Sequence, residues 1–512
     1  MAKKDVDVLF INPGSRKAIY QSLGDDICAV EPPSLSGLFA EYIKKKGFVV
    51  DIVDAMAHGY NGEDVAQLVS SSFNPTLVVL VVYGYQPSAS TQNMDSATEL
   101  CQALKDSNPS IPILMTGTHP SALPVKTLQE TAVDFVCNSE GPVTILETLK
   151  VVKARSTDVS NVPGLCHHVG NEVVNNPPPP LIQNLDEEMP GVAWELLPMD
   201  MYRAHNWHCF DHIDARAPYA SIHTSFGCPY RCTFCCINAP FGKSSYRLWS
   251  PDTVVKEIDI LVNKYGIRNI KFIDEMFILN PQHVLGICDR LIERNYDLNI
   301  WAYARVDTVQ DKFLEKLRKA GFRWLCLGIE SGSKHVRDGV TKGRFSQEDI
   351  QDTVRRIKDA GIYLIGNYIF GLPDDTFESM EETLAMAMEL NCEFSNFYSA
   401  MAYPGSKLYT MAIKEGWELP SSWIGFSQHG HETFPMKTET LSSKEVLLFR
   451  DAAFNIFYEN ENYYDMLRVK FGQGVVDEVK RIMQKRLPRK LFSEDERVTM
   501  EKTLRTKFLS VV

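Results

Sequence analysis

The sequence predicts an α/β protein made of two successive runs of strand–helix units and a mainly helical C-terminal region. Three observations predict this fold class. Short apolar segments alternate with amphipathic helical patterns over residues 5–150, a second alternation of six units begins near residue 219, and helical patterns dominate beyond Pro404. Repeated strand–helix units form parallel sheets. We divide the chain into residues 1–155, a linker at 156–215, a second α/β unit at 216–410 and a helical region at 411–512.

The first run predicts a doubly wound parallel sheet. Its strand candidates are the apolar segments 5–11, 48–53, 76–83, 113–116 and 134–137. Helical patterns lie between and after them at 34–46, 63–71, 90–105, 122–130 and 143–153. Ligands of such sheets bind beyond the carboxyl ends of the strands. The loops there are rich in Gly, Ser, Thr and Pro, which suits close backbone approach to a large polar ligand. The candidate binding residues in these loops are Asn12, Pro13, Tyr85, Ser88, Thr116, Gly117, His119 and Pro120.

The chain has no G-x-G-x-x-G or Walker pattern, so the usual ways of cradling a phosphate are not supported. A nucleotide-binding or purely structural domain remains the alternative for this first unit. The linker carries a polyproline stretch at 175–180 and two histidines, His205 and His208. Polyproline is stiff and extended. We expect the histidines to face substrate or to pack between domains rather than to bind a metal.

The second run starts with a strand candidate at 220–225 and continues with five more strands. These lie at 269–273, 298–302, 324–329, 364–369 and 395–400. Helical patterns lie at 251–265, 281–294, 311–320, 347–360 and 378–390. Functional groups of parallel barrels gather at the carboxyl ends of the strands. Polar residues follow several of these strands, which makes that edge the expected site.

Three cysteines, Cys228, Cys232 and Cys235, follow the first strand of this second unit in a C-x3-C-x2-C array. Soft thiolate ligands select zinc, copper(I) or iron–sulfur clusters. A structural zinc site has four protein ligands, so three cysteines favour a cluster with one iron left open. A zinc site completed by Cys236 or a nearby histidine is the competing interpretation. We interpret Cys288, Cys326 and Cys392 as small buried hydrophobic residues.

The composition is that of a globular protein, with 44% hydrophobic and 23% charged residues. The net charge of −12 and the lack of a long basic tract disfavour a nucleic-acid substrate. The longest apolar runs are of strand length, far short of the roughly 20 residues that span a bilayer. The charged N-terminal segment leads straight into a strand, so we expect no signal peptide and a cytoplasmic location.

The cysteine array, with the aromatic Phe234 before its third cysteine, resembles the signature of the radical S-adenosylmethionine enzymes. The resemblance covers about residues 216–410. It implies a partial (β/α)6 barrel in which the three cysteines hold a 4Fe–4S cluster. The open iron would bind S-adenosylmethionine, and one electron would cleave it to a 5′-deoxyadenosyl radical. That electron implies an external reductant of the flavodoxin or ferredoxin type.

The same resemblance implies roles for residues at the ends of the later strands. Asp274 or Glu275 would accept hydrogen bonds from the ammonium of S-adenosylmethionine, and Arg305 would bind its carboxylate. The cofactor's ribose or amino end would meet Glu330. The adenine would be bracketed at Asn367 and Ile369, and Tyr398 would lie in the substrate pocket. The alternative for Asp274 and Glu275 is an acid at a helix N-terminus, which the helix dipole favours.

The first unit resembles the cobalamin-binding domain that precedes the barrel in one class of these enzymes. Residues 31–47, 116–124 and 138–149, which include Glu140, carry this resemblance. The D-x-H-x-x-G loop of the methylmalonyl-mutase type is missing, so no histidine ligand to cobalt is expected. His119 would contact the rim or tail of the corrin, although an ordinary surface-loop histidine is an equal alternative.

Together the two resemblances imply a cobalamin-dependent radical methylase. It would methylate an unactivated carbon, or less often phosphorus, of a small metabolite, sugar or lipid by way of a substrate radical and methylcobalamin. The runner-up is a radical reaction of the same architecture without methyl transfer, such as ring closure or rearrangement. A non-enzymatic, metal-stapled module that binds cobalamin or a nucleotide is the alternative from a different class.

Overall fold

The computed structural model describes residues 3–14, 16–24, 27–84, 86–343 and 345–509. Its N-terminal unit is a seven-stranded sheet in the order β2-β1-β3-β4-β5-β6-β7. Those strands are β1 (Lys4–Asn12), β2 (Val50–Asp54), β3 (Phe73–Val82), β4 (Ile113–Gly117), β5 (Phe135–Cys137), β6 (Leu165–Val169) and β7 (Glu172–Asn175). The first five strands are parallel, and β6 and β7 are antiparallel.

The helices around this sheet cover both of its faces. They are α1 (Arg16–Tyr20), α2 (Ser34–Lys45), α3 (Ala55–His58), α4 (Gly62–Ser72), α5 (Ala89–Gln92), α6 (Met94–Ser107), α7 (Thr118–Ala122), α8 (Pro124–Glu130) and α9 (Pro142–Lys153). Alternate residues of β1 point to opposite sides: Val8 and Phe10 share a core with α2, whereas Leu9 and Ile11 share a second core with α4 and α6. The predicted doubly wound sheet is therefore confirmed.

The structure divides two predicted helices and reassigns part of the predicted linker. The pattern at 90–105 becomes α5 and α6, which meet at Asn93, and the pattern at 122–130 begins only at Pro124, with α7 before it. Proline occupies the first helical position of α8, where its missing N–H costs nothing. Residues 165–175, which we assigned to the linker, form the β6–β7 hairpin at the edge of the first sheet. The sequence analysis missed this hairpin.

The second unit is a six-stranded, wholly parallel sheet, as expected for a partial barrel. Its strands run in the spatial order β8 (Tyr219–Ile222), β11 (Asn269–Phe272), β12 (Asn299–Arg305), β13 (Phe322–Glu330), β14 (Tyr363–Phe370) and β15 (Phe394–Ser399). A short ladder of β9 (Ser225–Phe226) and β10 (Arg247–Leu248) follows the first strand. The helices that alternate with the later strands are α11 (Pro251–Tyr265), α12 (Pro281–Arg294), α13 (Asp311–Lys319), α14 (Lys334–Gly339), α15 (Gln347–Asp359) and α16 (Phe377–Leu390).

The remaining helices are a short one in the linker, α10 (Leu185–Glu188), and five near the C-terminus. The latter are α17 (Lys407–Lys414), α18 (Ser443–Tyr458), α19 (Glu461–Phe471), α20 (Gln473–Met483) and α21 (Glu494–Phe508). Helix α18 packs on β15, where the Tyr458 hydroxyl donates to Ser395 O and accepts from Ser395 N. The expected helical cap on the second unit is therefore present. No helix in the described ranges is both long and apolar enough to cross a membrane.

A buried glutamate attaches the linker to the second unit. Glu257, on α11, accepts hydrogen bonds from Val192 N at 2.9 Å and from the Trp194 indole N–H, both at Oε1. Its side chain has no ion-pair partner in the described part of the chain and is only 8% exposed. Burial raises the pKa of Glu257 from 4.5 to about 7, because a low-dielectric surrounding disfavours the charged form.

We therefore expect Glu257→Gln to stabilise the protein at pH 8 but not at pH 4.5. The folded state binds this proton more tightly than the unfolded state, so the stability it contributes is complete below about pH 4.5 and is lost as the pH rises through about 7. A glutamine keeps the Oε1 acceptor and carries no charge, so the difference should reach about 3 kcal/mol in its favour.

The measurement is the midpoint of thermal unfolding of both proteins between pH 4.5 and pH 8, followed by circular dichroism. The control is Glu293→Gln, an exposed glutamate on α12, for which no pH-dependent difference is expected. A constant difference between Glu257→Gln and the wild type across this pH range would contradict the assignment.

Candidate active site

The carboxyl ends of the two parallel sheets meet at two adjoining cavities. The large cavity, of about 470 Å³, is lined by parts of segments 86–92, 228–237 and 326–330, by the inner faces of β14 and β15, and by α18. The small cavity, of about 80 Å³, is lined by parts of 31–36, 221–227 and 273–275. Both contain residues of both units, so the site lies at the seam between the two sheets.

The cysteine loop follows β9 at the wall of the large cavity. Gly227 begins it at φ +81°, and a Cβ there would stand 2.5 Å from Ser245 O, so only glycine fits this position. Asn238 then ties the loop together: its Oδ1 accepts from Cys228 N at 3.4 Å, and its Nδ2 donates to Cys228 O at 3.2 Å. The loop's backbone is thus positioned by the protein itself.

Cys228, Cys232 and Cys235 all line the large cavity. Within the described residues, no three His, Cys, Asp or Glu side chains are close enough to hold one metal ion. A 4Fe–4S cluster is larger than one ion, so the thiolates that hold it stand further apart than the ligands of a single zinc. Three thiols that line one cavity but form no compact single-ion site within the described residues fit the cluster better than the zinc.

Burial raises the pKa of two of the three thiols. It raises the pKa of Cys228 to about 11 and also raises the pKa of Cys235. Cys236, which burial likewise shifts to a pKa of about 12, lines the same cavity. Since metals bind thiolates, cluster assembly on this loop would release protons.

Arg305, at the end of β12, has most of its donors occupied. It donates two hydrogen bonds of 2.9 Å to the carboxylate of Asp307 and another to the carbonyl of Lys342. Its guanidinium lies 3.8 Å from the centre of the Tyr230 ring. Its Nη1 lies 3.6 Å from Cys232 Sγ. The planar fork that we expected to bind a cofactor carboxylate therefore binds Asp307 in this structure, and Nη1 is the donor that faces the cysteine loop.

Glu330 ends β13 in a strained conformation. Its φ is +69°, which is uncommon for a residue with a Cβ, and the β13–β14 register shifts beside it. Its carboxylate forms a buried ion pair of 2.5 Å with Lys342 at the wall of the large cavity. Backbone strain of this kind is concentrated at functional sites, which supports Glu330 as a site residue.

The neighbouring acids Asp274 and Glu275 have different environments. Asp274 Oδ1 accepts from Thr224 N at 2.7 Å and Ser225 N at 2.9 Å, and Oδ2 accepts from the Thr224 hydroxyl. Both of its oxygens thus hold the segment that follows β8, which leaves Glu275 as the more available of the two acids; the contact of either acid with S-adenosylmethionine stays a prediction. Glu275 faces both cavities and has no hydrogen bond or ion pair within the described ranges. Burial raises its pKa to about 7.

The other residues predicted for the barrel site converge on the large cavity. Asn367 and Ile369 on β14, Tyr398 on β15, and Phe234 in the cysteine loop all line it. Asn367 donates to Cys326 Sγ at 3.0 Å and accepts from Asn396 Nδ2 at 2.9 Å. Cys326, which we interpreted as structural, is therefore also at the cavity wall.

The residues predicted for the cobalamin side are divided. Asn12 and Glu140 line the small cavity and Ser88 lines the large one. Those that line neither cavity are Pro13, Thr116, Gly117, His119 and Pro120. Tyr85 lies outside the described residues. A Cβ on Gly117 would clash with the carbonyl of Val82 on the adjacent strand, so this glycine is explained by strand packing rather than by a ligand.

His119 is neither a surface residue nor a cavity residue. It is buried, its Nδ1 lies 3.3 Å from Thr91 Oγ1, and its ring contacts the edge of Trp423 at 4.4 Å. Burial lowers its pKa to about 3, so it is neutral. The surface-loop alternative for His119 is therefore wrong, because the C-terminal region covers this loop, and the sequence alone does not show that contact. Its contact with the corrin stays a prediction.

Two buried ion pairs across the seam were not predicted. Lys271 on β11 reaches Glu31 of the first unit at 3.1 Å, and Arg247 on β10 reaches Glu140 at 2.7 Å. Glu31 and Lys271 line the large cavity. The signal in the sequence was a lysine inside an otherwise apolar strand, Ile270 to Phe272, since lysine is almost never fully buried without a partner. The linker histidines differ: His205 lines the cavity, whereas His208 contacts Asn299 O at 2.9 Å in the interior.

Comparison with known families assigns both units. Residues 222–387 match the Radical SAM superfamily, and residues 33–149 match the B12 binding domain. The chain therefore contains a Radical SAM domain and a B12-binding domain. This protein is 29% identical over 456 residues to an uncharacterized methyltransferase of Pyrococcus horikoshii. The match covers 89% of this chain and 93% of that protein.

Two further comparisons concern a named enzyme and a solved structure. This chain is 27% identical over 463 residues to the anaerobic magnesium-protoporphyrin IX monomethyl ester cyclase of Rubrivivax gelatinosus. The match covers 89% of this chain and 78% of that protein. Its fold is similar to that of the cobalamin-dependent S-adenosylmethionine radical enzyme OxsB, with a TM-score of 0.69, 16% identity, and coverage of 99% of this chain and 80% of that chain. The last likeness shows a shared two-unit fold.

The chemistry of the residues at the seam fits a polar cofactor such as that of a B12-binding domain. Ser36 Oγ, at the wall of the small cavity, is buried and has no hydrogen-bond partner within the described ranges. Such a polar atom is costly unless a ligand or water satisfies it. A corrin is larger than the small cavity, so its access requires the loops of the two units to separate.

The two neighbouring acids give a matched test. We expect Glu275→Ala to weaken S-adenosylmethionine binding about tenfold or more, because a hydrogen bond to a charged group contributes roughly 1.5–3 kcal/mol. Its thermal stability should not fall, since Glu275 has no partner to lose. We expect Asp274→Ala to lower stability by about 2–6 kcal/mol, because two buried N–H groups and a hydroxyl lose their acceptor.

The measurements are equilibrium dialysis of S-adenosylmethionine against reconstituted protein and the midpoint of thermal unfolding. Each variant is the control for the other. The roles would be reversed, and our assignment wrong, if Asp274→Ala lost affinity without losing stability while Glu275→Ala bound normally.

Proposed function

We propose that this chain is a cobalamin-dependent radical S-adenosylmethionine methyltransferase acting on an unactivated carbon, or less often phosphorus, of a small metabolite, sugar or lipid. The observation that carries this proposal is the cavity itself. Its lining combines three cysteines of the Radical SAM domain with residues next to and within the B12-binding domain, and the unpaired Glu275 faces the same space. A chamber built this way brings two cofactors and one substrate together.

The chain's own groups would hold and orient these ligands. Cys228, Cys232 and Cys235 would ligate the cluster, and Glu275 would accept hydrogen bonds from the cofactor's ammonium. Once bound, the cluster and the cobalamin would supply the electron that cleaves S-adenosylmethionine and the methyl group that the substrate receives. Arg305, 3.6 Å from Cys232 Sγ, would place a positive charge beside the cluster ligand. The largely apolar walls would exclude water from a reactive radical.

We further propose a one-electron reductant of the flavodoxin or ferredoxin type as partner and a cytoplasmic location. The net charge of −12 argues against a nucleic-acid substrate. Ring closure without methyl transfer is the second candidate, and one observation favours it. The magnesium-protoporphyrin IX monomethyl ester cyclase of Rubrivivax gelatinosus is similar over 89% of this chain.

We expect Cys232→Ala to lose the cluster, because two thiolates on this loop are too few to hold it. After anaerobic reconstitution, wild-type protein should contain about four iron atoms per chain, and Cys232→Ala should contain little iron. Cys236→Ala is the matched control, a cysteine in the same loop that is not part of the C-x3-C-x2-C array, and it should keep its iron. Full iron and sulfide in Cys232→Ala would refute the proposed centre.

The products of S-adenosylmethionine distinguish the two candidate reactions. Reconstituted protein with cobalamin, S-adenosylmethionine and a strong reductant should form both S-adenosylhomocysteine and 5′-deoxyadenosine, measured by anaerobic mass spectrometry. S-adenosylhomocysteine should disappear when cobalamin is omitted. 5′-Deoxyadenosine alone would favour ring closure or rearrangement, and neither product from protein with a verified cluster and bound cobalamin would contradict the methyltransferase.

A further inference from the structure

One end of the large cavity carries a buried arginine whose hydrogen bonding is incomplete. Arg450, on α18, is 4% exposed and lines the cavity. Its Nε donates to Phe397 O at 2.7 Å, and its Nη1 donates to Asp451 Oδ1 at 2.7 Å. Its Nη2 makes no hydrogen bond or ion pair in the described part of the chain. A guanidinium donor in such a place is costly unless a ligand satisfies it.

The charges around Arg450 do not balance. Arg489 also binds Asp451, with Nε 2.9 Å from Oδ2 and Nη2 3.0 Å from Oδ1. Its remaining donors are used by Gly430 O, Thr433 Oγ1 and Gln428 O. Two guanidinium groups therefore share one carboxylate, and no other acid contacts either of them within the described ranges. One positive charge is left over at the end of the cavity.

The other titratable groups near Arg450 do not remove this excess. Tyr398 lines the cavity beside it, and burial raises the pKa of that hydroxyl, so the ring stays neutral. Burial, with Arg450 and Arg489, holds the pKa of His429 well below its usual value, so this ring is neutral as well. Burial alone would raise the pKa of Asp451, but the two arginines hold it below its usual value, so it stays ionised.

Aromatic side chains and two amides also line the large cavity. Trp207 stacks on Phe394 with ring centroids 5.4 Å apart, and both line the cavity. Asn367 and Asn396 join by a hydrogen bond of 2.9 Å on the neighbouring strands. The cavity thus offers a cationic group, aromatic walls and a pair of amide side chains.

We propose that the substrate carries a carboxylate that binds Arg450, and that its apolar body lies along the aromatic wall. This inference rests on the proposed function and names the substrate class of the same site. A carboxylate brings one negative charge, which matches the single unbalanced positive charge. A phosphate monoester would bring about two and would leave a buried negative charge. Arg450 and the three cysteines line the same cavity, so a substrate held at Arg450 would share that space with the cluster ligands.

The first test compares matched probes on the full-length, reconstituted protein by isothermal titration calorimetry. The probes are 4-phenylbutyrate, its uncharged amide 4-phenylbutyramide, and phenyl phosphate. We expect the acid to bind about tenfold or more tightly than the amide, since a hydrogen bond to a charged group contributes roughly 1.5–3 kcal/mol. Equal affinities, no detectable binding of the acid, or tighter binding of phenyl phosphate would overturn the proposal.

The second test uses variants of the arginine. Arg450→Gln should lose the preference for the acid over the amide. Arg450→Lys should retain part of this preference, because lysine keeps the positive charge but lacks the planar guanidinium. Arg355→Gln is the control, since Arg355 is an exposed arginine on α15, and it should behave as the wild type. A full preference in Arg450→Gln would overturn the proposal. If Arg450→Gln does not fold, Arg450→Lys and the wild-type probes still decide the question.

The outcome is separable from the proposed function. Formation of 5′-deoxyadenosine by the wild-type protein tests the radical chemistry without reference to Arg450. Wild-type protein that forms 5′-deoxyadenosine but binds acid and amide equally would leave the radical enzyme intact and refute the carboxylate. Wild-type protein that prefers the acid but forms neither S-adenosylhomocysteine nor 5′-deoxyadenosine would leave the anion site and refute the methyltransferase.

Discussion

The arrangement of this protein depends on burying charged groups in pairs at the seam between its two sheets. Lys271 stands inside the second sheet, where a cation without a partner would cost several kcal/mol. Its partner, Glu31, comes from the first unit, just before α2. Glu140 and Arg247 repeat the arrangement on the other side of the small cavity. Each unit therefore completes the electrostatics of the other, and the site exists only when both are docked.

The same constraint explains the interior of the large cavity. Lys342 neutralises Glu330, Asp307 neutralises Arg305, and Glu31 neutralises Lys271. Among the charged side chains of the described residues that line this cavity, Glu275 and the Nη2 of Arg450 are left without a partner. In a low-dielectric space an unpaired charge interacts strongly with any ligand of opposite sign. The two unpaired groups thus define where an ammonium and a carboxylate would bind.

Much of the fold could be predicted because its signals are local. Alternation of apolar strands and amphipathic helices predicted all eleven strands of the two parallel arrays, and α11 and α12 begin and end where the sequence pattern does. The β6–β7 hairpin was missed because its strands are short and partly exposed, and because a polyproline stretch follows them. The breaks at Asn93 and Leu123 were missed because helical periodicity continues across each.

The site was predictable where its residues directly follow strands. Four of the predicted residues lie in loops that follow strands, namely Cys228, Cys232, Cys235 and Glu275. Arg305 and Glu330 end their strands, Asn367 lies within β14, and all seven line one cavity. Sequence order could not show which of Asp274 and Glu275 faces that cavity, because this depends on the donors that Thr224 and Ser225 present. It also could not show Arg450, which lies on a helix of the cap about 220 residues beyond the cysteines. Contacts made only in three dimensions leave no pattern along the chain.

The closed seam has a consequence for how the protein acquires its corrinoid. A cavity of about 80 Å³ is too small to admit a corrin, and separating its walls would break buried ion pairs such as Glu140–Arg247. Breaking a buried pair typically costs roughly 3–5 kcal/mol. The open arrangement that could admit a corrin is therefore the less populated one. The apparent affinity for the corrin would be lower than the intrinsic affinity by the fraction of molecules that are open.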